Sequence, residues 1–342
     1  MGVGHLNRAL TLADGLVENG HVVDFLIYGE EPVKQRAENR GYSCHVRSIS
    51  KLADIDLEPI PRSLDQIRYD AVVLDLSHTD VLHSHAFKTG IFFDRLRKVT
   101  HQIAAFDSTG ENSLLHECSR YSIDLLIIPY IVATTPPAGD FVLKMGPQYA
   151  VLQPEFTRKP VRSIRDQNAN RVLVTCGGSD PTKLSPVICR ALAVIEKPLE
   201  VQVAIGPLFC NELKQMIQRE VVKSPQQTEL LDSPESLAEA MFWCDLAVTT
   251  SGLTKYELAA TGTPAISLSI DLHHNQANQG FAKFESVYDL GVGVSPETIT
   301  SSVEFLLNGF PQRKKMSAAG RTIVDGQGLN RVVKVLRGLR DA

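Results

Sequence analysis

The chain has 342 residues, 43% hydrophobic and 22% charged, so it is too apolar for a disordered chain and long enough for two ordinary globular domains. A net charge of -4 offers no basic excess for nucleic acid or an anionic membrane. Its six cysteines stand singly, with neither C-x-x-C nor zinc spacing, which excludes a disulfide scaffold and a zinc module.

In chain order, the first feature is a glycine-rich turn, Gly2-Val3-Gly4-His5, running into a helical pattern. Leu6, Ala9, Leu10, Ala13, Leu16 and Val17 share one face of that pattern, and Gly20 stops it. Short β-branched runs predict strands at 23–28, 43–47, 71–76, 102–107 and 124–130, with helical patterns between several of them. Residues 155–171 turn polar and charged around Pro160 and read as an interdomain linker. Strands are then predicted at 171–177, 200–206, 228–232, 245–251, 264–270 and 291–294. Helices are predicted near 182–196, 209–221, 234–243, 253–261, 275–285 and 297–308, with a helical tail over 311–341. This alternation predicts an α/β protein of two doubly wound, Rossmann-like parallel-sheet domains facing a cleft. The expected boundaries are 1–157 and 158–342, with the last helix free to pack back on the first domain. No apolar run reaches the ~18 residues of a membrane span. The N-terminus has no secretory pattern, and Cys176 and Cys244 sit in apolar runs as buried thiols would. A cytoplasmic protein is expected.

In such folds ligands bind beyond the carboxyl ends of strands. Four loops there have suitable chemistry. In the first, glycines let a ligand approach the helix start, whose dipole keeps a histidine such as His5 neutral and able to take a proton from water. Capping the helix is the simpler use of the same residues. The second, Thr175-Cys176-Gly177-Gly178-Ser179-Asp180-Pro181, fits a tight turn, an N-cap and a first-turn proline, and equally a phosphate cradle. The third, Thr249-Thr250-Ser251-Gly252-Leu253-Thr254, precedes Glu257, a carboxylate placed to accept both hydroxyls of a ribose or simply to favour the helix N-terminus. The fourth, Asp271-Leu272-His273-His274-Asn275-Gln276, brings amides that can read sugar or phosphate. Its adjacent histidines have no spaced third metal ligand. Asp75 and Asp107 end strands where site residues or loop caps belong.

Order and spacing of these loops carry a resemblance. The segments GVGHLNRALTLADGL, YDAVVLDL, IAAFD, MGPQYAVLQPEF, VTCGGSDPTKLS, TSGLTKYELAATGTPAI and VDGQGLNRVVKVL resemble, in order and over essentially the full length, the PseG/SpsG family. PseG is the UDP-2,4-diacetamido-2,4,6-trideoxy-β-L-altropyranose hydrolase of pseudaminic acid synthesis. The second half is also similar to the UDP-binding half of MurG-type N-acetylglucosaminyltransferases, which implies a GT-B fold.

The resemblance implies that His5 is catalytic and positions or deprotonates a water. It implies that Gly177, Gly178, Ser251, Gly252, Leu253 and Thr254 hold UDP, that backbone near Leu231 reads uracil, and that Glu257 takes the ribose. Gly4, Arg8, Asp75, His78, Asn275 and Gln276 would contact the sugar or phosphate. Water would displace UDP from the anomeric carbon with inversion, and helix-start donors would stabilise the leaving group without a metal or other cofactor. The expected substrate is a UDP-linked acetamido-deoxy sugar, in nonulosonic (pseudaminic-type) acid or surface-polysaccharide biosynthesis. No nucleic-acid partner is expected.

Three departures stand out. Leu76-Ser77-His78 follows Asp75 where the family tends to carry a His and an aromatic residue, Gln153 replaces a common Arg, and the strand that precedes the G-x-G-H turn in this fold is missing. A GT-B glycosyltransferase using a UDP-sugar, and a non-catalytic nucleotide-sugar-binding protein, are the alternative readings.

Overall fold

The computed structural model describes residues 3–28, 31–47, 64, 66–75, 89–107, 118–131, 139–157, 163–165, 168–250 and 252–340. They belong to two compact units. One is Met1, His5–Val151 and Gln327–Ala342; the other is Gly2–Gly4 and Leu152–Gly326.

The first unit opens with α1 (Val3–Glu18). The predicted turn at residues 2–5 is therefore already helix from Val3. Leu10 and Ala13 bury as their spacing requires, Leu12 joins them, and Val17 stays 48% exposed. Gly20 ends the segment with φ +84°, which a side chain would resist. Then come β1 (Asp24–Tyr28), α2 (Glu31–Glu38) and β2 (Ser43–Arg47), the strands pairing in parallel. A second parallel sheet holds, side by side, β3 (Val72–Leu74), β4 (Ile103–Phe106), β5 (Leu125–Ile128) and β6 (Val142–Met145). Helices α3 (Thr89–Val99) and α4 (Cys118–Tyr121) connect β3, β4 and β5.

β4 and β5 are buried at every position, as parallel strands covered on both faces must be. Alternate residues serve opposite cores. Ile103, Ala105, Leu126 and Ile128 meet Phe92, Phe93 and Leu96 of α3. Ala104, Phe106, Leu125 and Ile127 meet Leu12 of α1 and Val332, Val333 and Leu336 of the chain's last helix. Strand β6 escaped the sequence reading because it is a short sheet-edge segment with a lysine in its middle.

The second unit is one six-stranded parallel sheet in the order β12-β11-β10-β7-β8-β9. Its strands are β7 (Arg171–Thr175), β8 (Glu200–Ile205), β9 (Gln227–Asp232), β10 (Leu246–Thr249), β11 (Ala265–Ser269) and β12 (Tyr288–Val292). Its helices are α5 (Leu184–Ala193), α6 (Asn211–Lys223), α7 (Ala238–Trp243), α8 (Thr254–Thr261), α9 (Leu272–Lys283), α10 (Pro296–Asn308) and α11 (Phe310–Ile323). The predicted tail helix is two helices. Gly326, at φ +74°, turns the chain before α12 (Gly328–Arg340), which belongs to the first unit.

In this unit the first strand, β7, lies inside the sheet between β8 and β10. The first unit differs. Among the described residues β1 bonds only to β2 and β3 only to β4, so the ladder is not continuous from β1 to β3. The two sheets still share a core, since Leu26 and Tyr28 of β1 pack in the same cluster as Val72 and Leu74 of β3.

Candidate functional site

Two groups of predicted residues form ordered arrangements, one in each unit. In the first unit, His5 and Arg8 lie three residues apart on α1 and so share a face. Asp75 follows the carboxyl end of β3, and the three side chains meet. Arg8 grips Asp75 with a two-pronged fork, Nε to Oδ2 at 2.7 Å and Nη2 to Oδ1 at 2.6 Å. Its guanidinium lies 4.8 Å from the centre of the Phe106 ring. The Asp75 Oδ1 is also 2.6 Å from His5 Nδ1.

Burial of Asp75 raises its pKa, but the adjacent Arg8 and then His5 pull harder and hold the carboxyl well below the usual range. For Arg8, burial works against the charge, and Asp75 followed by Tyr130 more than restores it. Asp75 is therefore an unprotonated acceptor. A contact of 2.6 Å between it and a bare imidazole nitrogen would set two lone pairs against each other, so Nδ1 carries the proton and donates to Asp75. In the neutral ring that leaves the lone pair on Nε2. Arg8 Nη2 stands at 3.3 Å from the same Nδ1, a contact secondary to its hold on the carboxylate. Asp75, expected to touch the sugar, is thus committed to His5 and Arg8. Gly4 sits in the first turn of α1, and His78 lies outside the described residues.

In the second unit, Gly177 takes φ +72° after β7, and the Gly178 carbonyl accepts the Leu208 N–H at 2.9 Å. The predicted proline start of the next helix is replaced by a later one. Asp180 is buried and its carboxylate accepts the N–H groups of Leu184 and Ser185, both at 2.8 Å, so α5 begins at Leu184. Two donors of that helix start are consequently spoken for.

The start of α8 is different. Gly252 is exposed with φ +106°, and among the described residues no side chain caps the helix. The N–H groups of Tyr256 and Glu257 turn back to the Leu253 carbonyl, so among the described residues those ahead of Tyr256 are the donors an anion would meet at this helix start. Ser251 lies outside the described residues; Leu253 and Thr254 form the helix entry. Glu257, one turn in, is partly buried. That burial, reinforced by the charge of Glu155, raises its pKa to about 7. Leu231 lies on β9, which among the described residues bonds only to β8 and keeps its outer backbone edge open. Helix α9 starts three residues earlier than predicted because Asp271 caps it, accepting the His274 N–H at 2.8 Å and contacting His274 Nδ1 at 2.7 Å. Gln276 is exposed, and Asn275 is half-buried with Oδ1 3.5 Å from Ser269 Oγ.

No family model matches the chain. It is 28% identical over 208 residues to the spore coat polysaccharide biosynthesis protein SpsG of Bacillus subtilis (strain 168), a match covering 59% of this chain and 60% of SpsG. The match therefore spans less than two thirds of that relative's length. MurG of Acinetobacter baumannii superposes with a TM-score of 0.68 at 17% identity, over 98% of this chain and 96% of MurG. HepE of Anabaena, solved in complex with UDP-glucose, gives 0.60 at 13%, over 98% and 96%. At such identities the likeness to both structures is one of fold. The chain is similar in sequence to SpsG and has the GT-B fold.

Some residues of this SpsG-like protein carry weight that its sequence patterns did not announce. Asp245, next to β10, accepts the N–H groups of Asn170 and Arg171 and both prongs of Arg165. Lys255, in the first turn of α8, is only 2% exposed. Its signal in the sequence was a cation at a helix start, where the dipole disfavours one. Among the described residues no group of three His, Cys, Asp or Glu side chains is placed to hold a metal ion, and no helix is long and apolar enough to cross a membrane.

Proposed function

We propose that this SpsG-like protein hydrolyses a UDP-linked sugar, with an acetamido-deoxy sugar the expected substrate. The observation that carries the reading is the His5–Asp75 pair. Asp75 holds the Nδ1 proton, Arg8 holds Asp75, and Nε2 is left as a base. In the proposed reaction Nε2 takes a proton from water while the water oxygen bonds to the anomeric carbon. The bond from that carbon to the β-phosphate oxygen breaks, its electron pair leaves with UDP, and the configuration inverts. The uncapped start of α8, with Gly252 and Thr254, receives the diphosphate, Glu257 the ribose, and the open edge at Leu231 the base. Gly177 and Gly178 line the same nucleotide, while Asn275 and Gln276 reach the sugar or β-phosphate. No metal is required in this scheme, and the setting is cytoplasmic polysaccharide or nonulosonic acid biosynthesis.

A second reading, transfer of the sugar to a hydroxyl acceptor, is favoured by a 26% identity over 189 residues to an N-acetylglucosamine transferase of Haemophilus influenzae. Free UDP separates the two. Hydrolysis predicts UDP release from UDP-sugars in water alone, lost in His5→Ala while UDP still binds. Release only when an acceptor is added would establish transfer instead. Binding without turnover under either condition would make the protein a nucleotide-sugar binder.

A further inference from the structure

Lys255 occupies the second position of α8, two residues before Glu257 and three after Gly252. Its side chain is 2% exposed. The ammonium lies 5.8 Å from the centre of the Tyr256 ring and 5.4 Å from that of Phe281 on α9. Those two rings pack edge to face at 4.9 Å, so the lysine stem ends in an aromatic corner between α8 and α9. Among the described residues no carboxylate comes within ion-pair distance of it. Asp289 of β12 attracts it from further off, and that carboxylate is already bound by the Ser267 hydroxyl of β11 at 2.7 Å. The titratable groups of the surrounding elements also include Glu257 and the phenol of Tyr256 on its own helix, Asp271 capping α9, His273, His274 and Lys283 on α9, and Tyr288 on β12; Asp289 is the one that acts on it.

The arrangement is costly as it stands. A buried ammonium has lost its water, ring faces return only part of that loss, and the positive end of α8 opposes it further. Burial accordingly lowers its pKa to about 8. A core position of this shape would be filled more stably by methionine or leucine. What makes a lysine worth retaining is an anion that arrives at the same helix start and meets a fixed positive charge in a medium of low dielectric.

We infer that Lys255 is the built-in counter-charge for the diphosphate of the bound nucleotide, a positioning residue that acts through the first turn of α8. The inference rests on the nucleotide reading of that helix start. It specifies which part of the ligand Lys255 recognises: the charged diphosphate rather than the nucleoside. It also supplies a positive charge to a site for which no metal is proposed.

The test compares UDP and uridine binding, by titration calorimetry, in the wild type and in Lys255→Met and Lys255→Arg. Methionine fills the aromatic corner without charge. The expected result is a loss of about tenfold or more in UDP affinity for Lys255→Met with uridine affinity unchanged, and a smaller loss for Lys255→Arg. In the wild type, UDP affinity falls as pH rises beyond 8 while that of uridine does not, and this fall is absent from Lys255→Met. Binding of UDP by the wild type at pH 8 takes up protons, read from buffers of different ionisation enthalpy, and this arm needs no variant to fold. Equal losses for UDP and uridine, or an unchanged UDP affinity and pH profile, overturn the role of Lys255 alone. Failure of the wild type to bind either ligand overturns the nucleotide reading itself, and the inference with it.

Discussion

His5 Nδ1 stands 2.6 Å from Asp75 Oδ1, and Asp75 is in turn held by Arg8 through both of its oxygens. The aspartate is thereby an orienting group for the imidazole. Asp75→Asn keeps the shape but replaces an obligate acceptor with an amide that can present N–H to Nδ1. The ring then favours the tautomer with its proton on Nε2, which cannot act as a base. The proposed hydrolysis should fall about 10²–10⁴-fold, the usual range for losing general base catalysis, with UDP affinity unchanged. Steady-state UDP release and equilibrium UDP binding measure the two. A parallel loss of UDP binding would place Asp75 on the nucleotide instead.

Glu257 predicts a pH dependence of nucleotide binding. Its pKa is raised to about 7 by burial and by Glu155, and the ionised form is the better acceptor for two ribose hydroxyls. On the proposed ribose contact the ligand selects the ionised form, so affinity should rise with pH up to about 7 and level off between about 7 and 8. Below that pH each unit costs up to about tenfold, because the proton must first be removed. Glu257→Gln should flatten this profile and weaken binding about tenfold at pH 8. Below pH 8 UDP and uridine should respond alike, since both carry the ribose. A Glu257→Gln profile that still rises with pH would assign the titration to another group.

The α/β class was legible because buried parallel strands read as short apolar runs between turn signals, as in LLII over 125–128 and LAVT over 246–249. The edges were less so. β6 carries Lys144, and β12 begins at Tyr288, three residues before the predicted strand, in a stretch interrupted by Gly291 and Gly293. Capping aspartates moved helix starts in both directions. Asp180 delays α5 to Leu184 because its carboxylate serves donors four and five residues on, whereas Asp271 starts α9 at once.

The site divides along a similar line. His5 and Arg8 could be placed on one helical face from their spacing alone. That Asp75, 70 residues further on, belongs to His5 is a fact of the third dimension, and no local pattern contains it. Lys255 escaped for the opposite reason. Its neighbours in sequence look like an ordinary helix start, and only the closing of Phe281 over it shows that its charge is sequestered.

Asp245 predicts a stability effect separate from binding. Its carboxylate gathers two backbone N–H groups at the entry of β7 and the Arg165 fork at 2.7 and 2.5 Å. Asp245→Ala would leave those donors without an acceptor at a position 4% exposed. The loss should be about 3 kcal/mol of unfolding free energy, measured by chemical denaturation. UDP affinity of the folded protein should not change, because none of these atoms lies on the loops assigned to the ligand. A variant of unchanged stability would mean that water replaces the carboxylate in full.

Lys255 predicts that removing a charge stabilises the ligand-free protein, with a defined pH window. The folded pKa lies below the unfolded one, so between them the unfolded chain holds more protons and stability rises with pH. The penalty is therefore complete below about 8 and gone above the ordinary lysine value. The gap from 10.5 to about 8 corresponds to about 3 kcal/mol. Lys255→Met should raise the unfolding free energy at pH 7 by an amount of that order, less any loss from repacking between Tyr256 and Phe281. The advantage should shrink as the pH rises toward and past 10.5, above which the wild-type lysine is neutral in both states. Denaturation curves at pH 7 and pH 10 decide it. A variant less stable than the wild type at pH 7 would show that Asp289 and the two rings compensate the buried charge fully, and that no anion is needed to account for it.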